Sequence, residues 1–269
     1  MASADPEERE SAFMEVTDRL VHQGTHFEAS SHAVPFLLLL ARRETEAPEI
    51  LRLLSFIAVG QDDEYLSGTY NPYLASRHAA QLPHSSGEAV GCDAHLRGSI
   101  EPFSGMNIHQ IDLASYRAVM EGVPVLVDLL KSEDARTRMW AAYVMGFFPE
   151  RREEILPSLA GILEVESDTH VVATAAISSG LVGLPGDDRL SILLEQRLCG
   201  RHSIERWGAA IAIEWWFHRD DPLVKAVIQD CLTSADGVVY DIPFYDGNMR
   251  AMANLANSAY RRRQWAVAY

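Results

Sequence analysis

The chain has 269 residues, 48% of them hydrophobic and 23% charged, which is enough apolar material for one continuous core. Its net charge of −15 repels phosphate backbones and argues against nucleic acid as a partner. The longest apolar run, 33–41, contains Pro35 and has nine residues, about half of what a membrane-spanning helix requires, so no membrane partner is expected.

In chain order, the segment "MASADPEERE" is acidic and polar, unlike a secretory signal. Apolar residues then recur at three- and four-residue spacings through 12–21, 48–60, 116–132, 135–148, 153–165 and 170–183, which predicts helices. Ser132 with Glu133 and Asp134, Ser167 with Asp168, and Asp187 with Asp188 each stand before a helix as its start signal. Only 237–245, "GVVYDIPFY", has a β-like composition, and it reads as a loop. Residues 1–64 carry 5 basic and 13 acidic residues, a local charge of −8, whereas 201–269 balance at 8 of each. Cys92, Cys199 and Cys231 are odd in number and far apart with no CxxC, which predicts unpaired thiols in a reducing cytoplasm.

The chain repeats itself. "HFEASSHAVPFLLLLA" (26–41) aligns with "SYRAVMEGVPVLVDLL" (115–130) at an offset of 89, and Pro35 recurs as Pro124 and Pro157. Thr137, Val171 and Ile204 are 34 and 33 residues apart, as are Ala141, Ala175 and Gly208. One helical hairpin per period of this size predicts an all-α fold, an α-solenoid, across a single domain of residues 1–269. Residues 61–110 do not repeat and form an insertion, holding Tyr65, Tyr70, Tyr73, His78, His84, His95 and His109, whose aromatic content suits a cap or lid.

"VPVLVDLLKSEDARTRMWAAYVMG" (123–146) resembles a HEAT repeat, with a proline in the first helix, a polar turn, and Thr137-Arg138 opening the second. "HQGTHFEASSHAVPFL" is similar to the opening of stand-alone HEAT-repeat proteins of actinobacteria, and the likeness covers 12–60 and 110–233. The resemblance implies a stack of antiparallel hairpins whose second helices line a concave face. Ser132 stands where such turns carry Asp, and Val172 and Glu205 replace a repeated arginine. The Asp–Arg ladder of long HEAT arrays is therefore expected to be absent.

Candidate chemistry is sparse. His22 and His26 are four apart, but Gly24 and Thr25 between them read as a turn, and the aligned helix at 115–130 has no histidine. This stretch is taken as scaffold. "CDAH" (92–95) lacks the paired cysteines of a structural zinc site, and "YRRRQW" (260–265) reads as a solvated face. GxSxG, phosphate-loop and dinucleotide-binding patterns are missing, so no catalytic residue, metal or cofactor is assigned.

In the HEAT register, Thr137, Ala141 and Met145 face the core. Trp140 and Tyr143 point to the concave side together with Arg206, Trp207 and Glu214 of a later helix. A carboxylate between "AAIAI" and "WWF" requires a partner or an aqueous groove. These five residues are the predicted binding surface for a protein or peptide partner, a basic one given the acidic N-terminal units. The alternative is an enzyme or small-molecule site between the concave face and the 61–110 insertion. A HEAT-like DNA-base glycosylase, suggested by Trp140, Trp207 and Glu214, is disfavoured by the net charge.

Overall fold

The computed structural model describes residues 5–22, 25–43, 46–67, 108–183, 187–217 and 221–258. The calls on Tyr70, Tyr73, His78, His84, Cys92, His95 and 260–265 lie outside these residues, as does the side chain of His22. Thirteen α-helices occur among the described residues. They are α1 (Pro6–Leu20), α2 (Glu28–Ala41), α3 (Ala47–Val59), α4 (Asp62–Ser67), α5 (Ile108–Glu121), α6 (Val123–Leu129) and α7 (Ala135–Met145). After these come α8 (Arg152–Val165), α9 (Thr169–Val182), α10 (Asp188–Leu198), α11 (Ser203–Phe217), α12 (Pro222–Thr233) and α13 (Met249–Asn257). A two-residue antiparallel pair, β1 (Val21–His22) with β2 (Thr25–His26), joins α1 to α2.

One aspartate from each of the three polar clusters is the N-cap. Asp134 accepts the Arg136 and Thr137 amides, Asp168 those of His170 and Val171, and Asp187 that of Leu190. Most consecutive helices pack on one another, and α3, α7, α9 and α11 stack in that order, with α13 against α11. The helices α9 and α11 approach closely, with small side chains between them. A Cβ on Gly208 would stand 2.7 Å from Ala173 Cα, and one on Gly180 would stand 2.8 Å from Ala212 Cα.

Three findings depart from the sequence reading. The predicted helix 116–132 is two helices, broken at Gly122. Pro124 has no N–H to continue the ladder and starts α6 instead, although Pro35 and Pro157 lie inside helices. The edges of the 61–110 insertion are helical, as α4 and the start of α5, and α5 packs on both α2 and α3.

The third is a set of arginine contacts between successive turns that the sequence reading did not predict. Arg138 bonds both carboxylate oxygens of Glu166, at 2.7 and 3.1 Å, and the carbonyls of Ser132 and Glu133. Arg197 then donates to the carbonyls of Leu163 and Glu166 and lies 3.5 Å from Glu205. A glutamate at the end of α8 is thus held by an arginine of the preceding α7, while Arg197 of the following α10 reaches its carbonyl. Burial works to raise the Glu166 pKa, but hydrogen bonds from Arg138 and from the amides of Asp168 and Ser167 bring it below the ordinary value.

The scaffold reading of 22–41 agrees with the contacts of His26. Its ring is buried, with Nδ1 2.7 Å from Asp112 Oδ1 on α5 and Nε2 2.8 Å from the Phe56 carbonyl on α3. Among the described residues, no three His, Cys, Asp or Glu side chains are placed to hold one metal ion. No helix among the described residues is long and apolar enough to cross a membrane.

Candidate functional site

The loop between α12 and α13 folds back over the stacked second helices. A bridge between Val238 and Asn248 closes its neck, and the Val239 amide donates to the Gly247 carbonyl at 2.7 Å. Its tip carries three successive residues with positive φ, Tyr245 (50°), Asp246 (49°) and Gly247 (82°). Two of these are not glycine, an uncommon backbone state that surrounding contacts must hold. One such contact is Asp62 on α4, whose Oδ2 accepts the Tyr245 amide at 2.8 Å.

Beneath the loop lies an aromatic cluster built on α7. Phe244 is fully buried, 4.7 Å from Tyr143 and 6.3 Å from Phe147 between ring centroids. Tyr143 also meets Phe147 and Trp140 edge-on, at 4.9 and 5.3 Å. The Tyr65 hydroxyl donates to the Phe147 carbonyl at 3.1 Å, and the Tyr116 hydroxyl approaches the same carbonyl at 2.8 Å, which occupies an acceptor just past the end of α7.

Asp62 and Tyr143 are electrostatically linked. Burial pushes the Asp62 carboxyl up from 3.8 to about 6, against hydrogen bonds from the Tyr245 amide and the Tyr143 hydroxyl; Asp246 and Asp63 raise it further. Burial, with Asp62 beside it, holds the Tyr143 hydroxyl well above its ordinary value, so it remains a donor.

Beside the loop a groove of about 470 Å³ remains open. Met139 and Trp140 of α7 and Ile242 and Pro243 of the loop supply its apolar surface. Arg52 and Arg136 bring positive charge, and Asp168, Asp241 and Asp246 negative charge, with His170 near Asp168. Arg52 lies over the Phe56 ring, Arg136 reaches Glu49 at 3.2 Å, and Tyr240 on the rim is 87% exposed.

The five predicted site residues fall in two places. Trp140 lines the groove, and Tyr143 is buried directly beneath it. Trp207 is not on the groove: its ring is buried against α12, and its indole N–H donates to Asp230 at 2.8 Å. Glu214 is buried, and Arg206 donates to the Leu198 carbonyl at 3.3 Å. The expected placement of Trp207 is corrected because α12 packs on α11 and its Asp230 takes the indole N–H.

Sequence reasoning missed Asp62, Arg52, Arg136, His170, Tyr240 and Phe244. The signal available for the loop was "YDG" (245–247), a turn-forming string at the end of an otherwise β-like run. Both described cysteines are free thiols; Cys199 is exposed, and burial pushes the Cys231 thiol up to about 12. No protein-family model, curated protein or solved structure matches the chain.

Proposed function

We propose that the protein is an interaction module of HEAT-like type that holds a segment of a protein or peptide partner in the groove beside Trp140. The observation that carries this reading is the makeup of that groove. It has an apolar floor from Met139 and Trp140, arginines and carboxylates on its walls, and an exposed tyrosine at its rim. Tryptophan, tyrosine and arginine are the residues that dominate binding energy at protein interfaces. The net charge of −15 favours a basic partner by attraction at long range.

A second reading, a small-molecule site, is favoured by one observation: a volume of about 470 Å³ lies in the range that small ligands occupy. Native mass spectrometry of the protein purified from its own cells separates the two readings. A co-purifying polypeptide that is lost from a Trp140→Ala/Arg136→Glu variant supports the interaction module. A small mass lost in its place supports the second reading and refutes the first.

A further inference from the structure

The loop 238–248 occupies the concave face much as a bound peptide would. It is tied at its own neck, so it can leave the surface without unwinding α12 or α13, as compact loops with adjacent ends do. Its main side-chain anchor is Phe244, seated against Tyr143 and Phe147, with Ile242 also fully buried, and a main-chain anchor is the Tyr245 amide on Asp62. Neither anchor depends on a feature peculiar to this loop. A segment that turns after an aromatic residue and presents the next main-chain amide offers the same two groups. The positive φ values of Tyr245 and Asp246 disfavour the seated loop, which lowers the cost of replacing it.

We propose that the loop is an intramolecular plug, and that the Tyr143–Phe147 box with Asp62 is a docking site for a partner segment bearing an aromatic residue, which takes the place of Phe244. This rests on the peptide-binding reading of the adjoining groove and extends it inward from Trp140. The partner then spans both features, with its aromatic residue in the box and its flanking residues along Trp140, Arg52 and Arg136.

The test uses full-length protein and a fluorescein-labelled peptide of the loop sequence VYDIPFYDGN as probe. Fluorescence anisotropy should show the Phe244→Ala protein, whose box is empty, binding the probe at least about tenfold more tightly than wild type. A probe with its phenylalanine changed to alanine should lose that gain. Equal affinity of the two proteins for the probe, with Phe244→Ala folded by circular dichroism, would overturn the proposal. If Phe244→Ala does not fold, hydrogen exchange of Asp62→Ala decides. Exchange over 240–247 should rise at least about tenfold with α7 and α9 unchanged, whereas a rise shared equally by loop and helices would show no independent plug. A wild-type dimer that forms with concentration by exchanging this loop would assign the box to a second copy and overturn the foreign partner. Loss of partner binding in Trp140→Ala with the loop intact reports on the groove alone, so failure of the plug and failure of the groove give different patterns.

Discussion

Asp62 and Tyr245 are 183 residues apart, and a 2.8 Å hydrogen bond from the Tyr245 amide to the Asp62 carboxylate joins the first helical hairpin's end to the loop before the last helix. Repeat stacking brings only neighbouring units together, so this bond is a closure that nearest-neighbour packing does not supply. It fixes the loop over α7 and thereby decides which part of that helix is covered and which part lines the groove.

Asp62 should make stability depend on mildly acidic pH. Its carboxyl titrates near 3.8 in the unfolded chain and near 6 in the folded one. Between those values the folded chain retains a proton that the unfolded chain has lost, so its contribution is complete below 3.8 and fades as pH rises through 6. Urea titrations from pH 4 to pH 7 should show a decline on the order of 2 kcal/mol from this group. Asp62→Asn, which keeps an acceptor for the Tyr245 amide, should flatten that decline.

His26→Ala should destabilise the N-terminal hairpin. It removes the ring that joins Asp112 on α5 to the Phe56 carbonyl on α3, in a buried setting. Removing one partner of buried hydrogen bonds costs about 1–3 kcal/mol. Thermal denaturation should register the loss, and hydrogen exchange should place the added opening in α2, α3 and α5 rather than in α11.

The Arg138–Glu166 pair should couple two successive turns. The side chains of Arg138 and Glu166 are 17% and 8% exposed, and the contact is bidentate, unlike most surface pairs. A double-mutant cycle of Arg138→Ala and Glu166→Gln should give a coupling of roughly 1–2 kcal/mol at pH 7. Because the Glu166 pKa is lowered by folding, the coupling is fully present above the ordinary value of 4.5 and is lost as pH falls below it.

Gly208→Ala should be costly despite being a single methyl. The added carbon meets Ala173 Cα at 2.7 Å and its carbonyl oxygen at 2.8 Å, both backbone atoms that cannot rotate away. Separating α9 from α11 should cost about 1–3 kcal/mol, measured as a lowered denaturation midpoint with an unchanged slope.

The helical hairpins were legible because each must bury one face, which writes a three- and four-residue rhythm, and because Asp134, Asp168 and Asp187 cap by a local rule. Gly122 shows the limit of that rhythm. Apolar spacing continues through it, while the missing Pro124 N–H breaks the helix and the absent side chain of Gly122 leaves room for Leu38. Trp140 and Trp207 show a second limit. They share a repeat position, but α12 covers Trp207 and leaves Trp140 at the groove. What covers a concave face comes from distant chain, as Phe244 does for Tyr143, and periodicity carries no record of it.

Photocrosslinking in the protein's own cells tests the groove most directly, with benzoylphenylalanine placed at Tyr240 on the rim and, as a control, at exposed Ile192 on α10. A groove that binds a partner predicts a polypeptide adduct from position 240 that is missing from position 192 and disappears in Trp140→Ala. The same adducts from both positions, or none from position 240, would contradict it.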